Sequence, residues 1–132
     1  MARIRANTVK DTKKVALLGK MRVGNRTGDV SAAIQNYAES HGYHLTREYT
    51  GHGVGKQMHE GPQVPNYGKS GTGMPLKVGM TIAIEPMVLV GTAETRVLPD
   101  QWTVVSADGS LTAHFEHSVA VTEGEPLILT VL

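Results

Sequence analysis

The sequence predicts an α+β fold, with two helices packed on a curved, mainly antiparallel sheet. Two observations support this fold class. Apolar residues recur at helical spacing before residue 41, and short β-type runs separated by Gly, Pro and Asp-Gly follow from residue 44 onward. The chain has 132 residues, the length of one domain, and folding should bury about two-thirds of its unfolded surface. We therefore predict a single domain over residues 1–132, with residues 1–11 as a flexible basic N-terminus.

Composition excludes several classes of function. Hydrophobic residues make up 40% and charged residues 19% of the chain, as in ordinary globular proteins, and the net charge of +1 indicates no partner. Cysteine is absent, so any metal must be held by His, Asp or Glu. No apolar run approaches the ~20 residues that span a bilayer, and the N-terminus lacks the apolar core of a signal peptide. The sequence predicts a soluble, cytoplasmic domain without a membrane partner.

Lysine and arginine are concentrated near the start of the chain. Eight of the 13 lie before residue 27, where Asp11 is the only acid. Contact with RNA or another anionic surface is one interpretation. Because no aromatic residue alternates with these charges, we favour a solvated helix face and a frayed end, and we predict no nucleic-acid partner.

Two helices are predicted before the first strand. Residues 11–23 begin with Asp11 and carry several apolar side chains, which indicates a short helix despite Gly19. From Asp29, apolar residues repeat at i, i+3, i+4, i+7 and i+8 up to residues 41–42, which predicts an amphipathic helix. The members of this repeat are Val30, Ala33, Ile34, Tyr37 and Ala38.

The remainder of the chain is predicted to be mainly β. Residues 44–50 alternate and are rich in β-forming residues, which predicts one strand. Asp-Gly at 108–109 lies between two β runs and predicts a hairpin turn. Residues 50–68, which carry His52 and His59, are too rich in Gly and Pro for a helix and are expected to be irregular. The other β runs are residues 81–90, 95–98, 102–107, 111–122 and 126–131.

Two glutamates interrupt apolar β runs. The period of two places Glu85 on one face with Met87, and Glu116 on one face with His114. An unpaired carboxylate in such surroundings would cost several kcal/mol or stay protonated. Few cations are near, since the last Lys or Arg is Arg96. A divalent ion would neutralise both carboxylates, with a histidine completing the site, and these donors suit Mn, Fe, Co or Zn.

Each of these residues also has an ordinary structural interpretation. A histidine in a glycine-rich loop is usually hydrogen-bonded or solvated, and a glutamate before proline usually faces water at a sheet edge. We keep that interpretation for His41, His44 and His117. The local sequence favours a functional site instead for His52, His59, Glu85 and Glu116.

Three segments resemble the C-terminal half of type I methionine aminopeptidases, which have the pita-bread fold. They are GHGVGKQMHEGPQVPNYG at 51–68, LKVGMTIAIEPMV at 76–88 and WTVVSADGSLTAHFEHSVAVTEGEP at 102–126. The first alone would also fit prolidases, whereas the third favours the methionine-specific branch. Residues 23–49 are similar to the same enzymes, so the resemblance covers roughly 12–132. It implies that residues 12–132 form half of a pita-bread fold.

The resemblance also implies a role for each candidate residue. His52, Glu85 and Glu116 match metal ligands, with Glu116 bridging two ions. His59 matches a catalytic histidine that binds the substrate at the scissile amide or the developing oxyanion. Glu85 also matches the catalytic proton acceptor. The residues that match walls of the pocket for the methionine side chain, or lie close to it, are Trp102, Met58, Tyr49 and Thr50.

Other features of the site are expected from the same resemblance. Gly51, Gly53 and Gly55 are expected to let the backbone pass close to metal and substrate. His114 stands where the bacterial enzymes usually have Gln, so it changes the local hydrogen bonding or supplies an extra donor.

The chain departs from the family at the ligands of the N-terminal half. That half supplies two aspartate ligands and another substrate-binding histidine, and the aspartates present here do not match its pattern. These are Asp11, Asp29, Asp100 and Asp108. The remaining ligands, one His and two Glu, suit one ion with open positions. We hypothesise that two copies pair around a two-fold axis, or that a complementary half is a separate chain; a truncated chain is the other interpretation.

The predicted function is metal-dependent removal of N-terminal methionine from a peptide or nascent chain, by a homodimer or with a second half. The alternative is a catalytically inactive half-fold that serves as a self-associating peptide-binding, protein-binding or structural unit.

Overall fold

A computed structural model describes residues 19–131, in which the helix Thr27–Ser40 packs on antiparallel sheets. The helix is α1 (Thr27–Ser40). The strands are β1 (His44–Leu45), β2 (Thr50–Gly53), β3 (Glu60–Pro65), β4 (Thr81–Ile84), β5 (Met87–Leu89), β6 (Thr95–Val97), β7 (Val104–Ser106), β8 (Thr112–His114), β9 (His117–Ala120) and β10 (Leu127–Ile128). The predicted α+β class is confirmed.

Three sheets arise from these strands. A five-stranded sheet has the order β10-β9-β4-β2-β3, a three-stranded sheet has the order β1-β5-β8, and β6 pairs with β7. Residues 11–18 of the first predicted helix lie outside the described residues, Gly19 is helical, and residues 20–23 form turns and bends. Residues 19–131 contain no helix with the length and hydrophobicity that a membrane crossing requires.

Helix α1 forms from the predicted apolar repeat. At its start, the Asp29 carboxylate accepts a hydrogen bond of 2.8 Å from the backbone N–H of Arg26, which satisfies a donor that the helix leaves unpaired. Val30, Ile34 and Ala38 follow one another at helical spacing and are fully buried. One face of α1 therefore packs onto the sheets, as the sequence predicts.

The hydrophobic core joins α1 to both larger sheets. Each fully buried Val, Leu, Ile or Met contributes about 1.5–3 kcal/mol relative to exposure. The residues of this core are Met21, Val30, Ile34, Ala38, Leu45, Val64, Leu76, Ile82, Ile84, Val88, Val119 and Val121.

One break separates the pairing of β4 with β9 from the pairing of β5 with β8. The last pair before the interruption is Ile84 with His117, and β5 resumes pairing with β8 beyond it in the same register. Glu85 and Pro86 therefore lie opposite residues 115–116. Pro86 has no N–H to donate, so the ladder stops here and the chain passes from the five-stranded to the three-stranded sheet. This strand break carries both candidate glutamates.

Two expectations about the strands before the break are wrong. Residues 44–50 form β1 and the first residue of β2, with an irregular stretch between them, rather than one strand. Residues 50–68 contain β2 and β3, which pair as an antiparallel hairpin and are not irregular throughout. Pairing with β4 holds β2 in place, and local composition carries no signal for such a distant partner.

The expected hairpin at residues 108–110 is also wrong. A turn forms at Ala107 and Asp108 and is followed by Gly109 with φ of 74°. However, β7 pairs with β6, and β8 pairs with β5. The register of β8 follows that of β9, which runs beside β4, so long-range pairing decides the partner of β8.

Glycines on β2 permit close approach of its neighbours. A Cβ atom at Gly51 would lie 2.4 Å from the carbonyl oxygen of Ala83, and one at Gly53 would lie 2.2 Å from that of Gly61. The resemblance implies that these glycines clear a metal and a substrate, whereas their close contacts in the structure are with the backbone of β4 and β3. The glycines hold His52 between two tightly packed strands.

We expect Gly51→Ala to lower the free energy of unfolding by about 1–3 kcal/mol, because the added methyl group must displace the backbone of β4. Urea denaturation followed by circular dichroism measures this change. Gly124→Ala is the control, since a Cβ there would meet no atom within 4 Å. Equal unfolding midpoints for the two variants would contradict this account of β2.

Candidate metal centre

The structure brings His52, Glu85 and Glu116 together. One potential ligand atom from each residue lies within 4.8 Å of those of the other two. The reason is topological: β2 pairs with β4, β4 pairs with β9, and both glutamates lie in the strand break beside these pairs. Three residues that are far apart in sequence therefore meet at neighbouring strands.

The hydrogen bond of His52 to the backbone defines its metal-binding atom. Its Nδ1 atom lies 2.9 Å from the carbonyl oxygen of Gly53. Because a carbonyl oxygen only accepts, Nδ1 carries the proton and donates it, which leaves Nε2 as a potential ligand. Nε2 lies 3.3 Å from Oε1 of Glu85. In the neutral ring, two electron-pair donors face each other across this distance, so a cation between them is favourable.

The charges of the two glutamates favour a cation as well. The Glu85 side chain is only 13% exposed, and like charges on opposing strand residues destabilise a sheet. Among residues 19–131, no Lys or Arg forms an ion pair with Glu85 or Glu116. One imidazole nitrogen and two carboxylates suit a borderline or hard divalent ion. The residues present therefore fit a divalent metal.

Asp29, Asp100 and Asp108 have other functions in the fold. Each accepts hydrogen bonds from backbone N–H groups at a turn or helix start. The Thr103 hydroxyl, with the backbone bonds, lowers the pKa of Asp100. Hydrogen bonds from Ser110, its backbone N–H first, lower the pKa of Asp108 to about 2. In the part of the chain that is described, these aspartates stabilise turns and do not join the metal centre.

His59 lies next to the centre on its open side. It is exposed, and its ring centroid is 4.3 Å from that of His52, with 58° between the ring planes. Both imidazoles line an open cavity of about 360 Å³, together with Thr50 and Gln63. A substrate can therefore reach His59 and the centre from the same side.

The residues expected to form a methionine pocket are not assembled into one. Tyr49 lines a second, mostly apolar cavity of about 240 Å³ beside Met87, whereas Thr50 lines the cavity of His59. Met58 is 75% exposed, and Trp102 is 87% exposed in the turn between β6 and β7. Within residues 19–131, these four side chains do not enclose a common pocket.

Two contacts of Glu85 complete the site. His114 Nε2 lies 3.2 Å from Oε2 of Glu85, so the residue noted as a possible extra donor does touch a candidate ligand. Sequence reasoning missed Asn66, which is buried and whose Nδ2 donates a 3.4 Å hydrogen bond to the Glu85 carbonyl oxygen. Its only sequence signal is a polar residue directly after a β run, which is also common at ordinary strand ends.

Comparisons with known proteins agree with this geometry. The sequence model of metallopeptidase family M24 matches residues 3–123, so the similarity begins before residue 12, and the predicted start near residue 12 is wrong. A methionine aminopeptidase of Clostridium acetobutylicum is 51% identical over 127 residues, which are 95% of this chain and 51% of that protein. The chain spans about half the length of the curated relatives it matches.

Solved structures give the same result. The crystal structure of methionine aminopeptidase from Thermotoga maritima matches with a TM-score of 0.92 and 47% identity, over 96% of this chain and 50% of that one. The enzyme from Rickettsia prowazekii matches with a TM-score of 0.90 and 41% identity, over 95% of this chain and 50% of that one. The half-pita-bread fold that the sequence predicts is confirmed.

We expect His52→Ala and Glu116→Ala each to weaken binding of Mn²⁺ or Co²⁺ by at least about tenfold, since loss even of groups that only support a ligand costs 10–100-fold. Isothermal titration calorimetry of the metal-free chain measures the affinity. Glu123→Ala and His41→Ala are matched controls, because both residues are exposed and lie outside the centre. Unchanged affinity in the two ligand variants would exclude this centre.

Proposed function

We propose that this chain, which belongs to metallopeptidase family M24, is the metal-holding half of a metallo-aminopeptidase that removes N-terminal methionine from peptides or nascent chains. The observation that carries the proposal is the convergence of His52, Glu85 and Glu116 within 4.8 Å. Relatives at about half sequence identity are named methionine aminopeptidases, which supports the choice of substrate. The donor set favours Mn, Fe, Co or Zn.

In this proposal the metal, Glu85 and His59 each have a separate chemical role. A divalent ion held by His52, Glu85 and Glu116 supplies Lewis-acid chemistry, polarising a carbonyl and making water more acidic. The Glu85 carboxylate accepts a proton and passes it on, which suits a largely buried group whose two oxygens face two imidazoles. His59 lines the open cavity and donates a hydrogen bond to the scissile carbonyl oxygen as negative charge develops there.

The substrate side of the site requires a further surface. Met58 and Trp102 are large apolar side chains that are mostly exposed, and such groups mark interaction surfaces. We propose that a second copy of this chain, or a complementary half, covers them and closes the methionine pocket. A complementary half would in addition supply the two aspartate ligands of the family pattern, which this chain lacks. A half domain over residues 1–132 and a cytoplasmic location belong to the same proposal.

Hydrolysis of a methionyl tripeptide, with Mn²⁺ or Co²⁺ added, tests the catalytic assignment. We expect methionine release that depends on the metal. Glu116→Ala should lower both activity and metal affinity, the affinity by at least about tenfold, whereas His59→Ala should lower the rate by about 10²–10³-fold and leave metal affinity intact, because His59 acts on the substrate. His41→Ala is the surface control. Turnover that neither Glu116→Ala nor His59→Ala changes would eliminate the proposal.

Light scattering at micromolar concentration tests the partner. A homodimer should have twice the chain mass, and Trp102→Ala should weaken it, since exposed aromatic residues often dominate interfaces. A monomer would contradict the homodimer, and the complementary half on a separate chain would then be the remaining proposed partner. A chain that self-associates and binds metal but hydrolyses no methionyl peptide would favour the inactive structural alternative.

A further inference from the structure

The loop that carries His59 consists of residues 54–59, between β2 and β3. Residues 55–59 are exposed and form bends rather than regular structure. The two ends of the loop are fixed, because Gly53 of β2 pairs with Glu60 of β3. Exposed loops with few buried contacts are usually among the most mobile parts of a domain. Pairing at the two ends therefore does not by itself fix the orientation of the His59 imidazole.

The side chain of Glu60 turns back into this loop. Its Oε1 atom accepts a 2.8 Å hydrogen bond from the backbone N–H of Gln57. This length is typical of the stronger, charge-assisted bonds that carboxylates accept. The carbonyl oxygen of Gln57 in turn accepts a 3.2 Å hydrogen bond from the N–H of Gly55. The Glu60 bond closes the chain into a ring that contains Met58 and His59, so a large displacement of the His59 backbone would break it.

Gly55 makes room for this carboxylate. A Cβ atom at Gly55 would lie 2.9 Å from the carboxyl carbon of Glu60, and its three nearest atoms all belong to that side chain. Gly55 does not have a positive φ, so its backbone conformation is open to other residues, and the space for Glu60 is what requires glycine. The resemblance implies that Gly55 clears a metal and a substrate, whereas its close contact in the structure is with Glu60.

Glu60 lies beside the His59 imidazole but outside the metal centre. The His59 ring is 4.3 Å from that of His52, and both rings line the open cavity together with Glu60. Within residues 19–131, Glu60 is not among the ligand-type side chains that converge at the centre. Displacement of a reacting group by about 1 Å can cost about 10²-fold in rate, so the position of His59 matters for the proposed chemistry.

We propose that Glu60 is a positioning residue for His59. Its carboxylate, bonded to the Gln57 N–H and seated against Gly55, fixes the loop so that the imidazole stays beside the metal centre. The inference deepens the proposed function and rests on the role of His59 in it. It also gives a function to the glutamate that directly follows His59 in the sequence, which neither metal binding nor proton transfer uses.

The first test is nuclear magnetic resonance of the full metal-free chain, which observes the loop without turnover. We expect a nuclear Overhauser contact between the His52 and His59 rings in the wild type. Glu60→Ala should remove most of this contact and lower the order parameter of the His59 amide from about 0.85 to below about 0.6. Glu60→Gln should retain most of both, because glutamine loses the charge but keeps the acceptor oxygen. Lys56→Ala, in the same exposed loop, is the matched control.

The second test reaches the same interaction from its other side. The methyl group of Gly55→Ala must displace the Glu60 carboxylate, so this variant should also disorder His59. In the Glu60→Ala background the atoms that the methyl group would meet are gone, and Gly55→Ala should have no further effect. Thermal unfolding checks that each variant folds.

Hydrolysis of a methionyl tripeptide measures the consequence for catalysis. Glu60→Ala should lower kcat by about tenfold and change KM and metal affinity by less than about twofold, because only the position of His59 changes. Glu60→Gln should recover most of the rate.

Equal order and equal ring contact of His59 in Glu60→Ala and the wild type would overturn this inference, whatever the activity. Additive effects of Gly55→Ala and Glu60→Ala would overturn it as well, since the two changes would then act on different contacts. A wild-type chain that hydrolyses no methionyl peptide would overturn the proposed function, and the resonance data would still decide whether Glu60 positions His59.

Discussion

The interaction on which the site depends is the opposition of two carboxylates across one strand break. Pro86 ends the ladder between β4 and β9, and the register of the flanking pairs places Glu85 opposite residues 115–116. In a sheet, like charges directly opposite destabilise the pairing. The pairs on both sides of the break share one register, which holds the backbones of the two glutamates opposite each other. Glu85 is largely buried and Glu116 is exposed, and a cation between their carboxylates would relieve the repulsion.

His52 reaches this strand break because a glycine flanks it on each side along β2. Gly51 and Gly53 leave no room for a Cβ atom beside the backbones of β4 and β3, so β2 lies closer to its neighbours than larger residues would allow. The Nδ1 bond to the carbonyl oxygen of Gly53 then orients the ring. Backbone packing, rather than side-chain contacts alone, aims Nε2 at Glu85.

Local patterns predict those parts of the fold that local forces decide. The apolar repeat of α1 is visible in the sequence because one face of the helix is buried. In β4, by contrast, Ile82, Ala83 and Ile84 are all buried, so both faces of this strand are covered. The β2–β3 hairpin is hidden, since Gly and Pro disfavour strands locally and the pairing of His52 with Ala83 is long-range. The wrong hairpin at residues 108–110 has the same origin: β8 takes its register from β9. Asn66 left no distinctive pattern, because its partner is a backbone carbonyl.

The two sides of the site differ in what holds them. The candidate ligands His52 and Glu85 are largely buried; His52 lies on β2, which pairs with β4, and Glu85 directly follows β4, whose Ile82 and Ile84 belong to the core. Met58 and Trp102, in contrast, are mostly exposed. The backbone N–H of Trp102 donates a hydrogen bond to the Asp100 carboxylate, which holds the backbone there in place. Because a pocket selects a side chain by enclosing it, the proposed selection of methionine requires a surface that covers these two residues, whereas the residues that fit a cation converge through this chain's own packing.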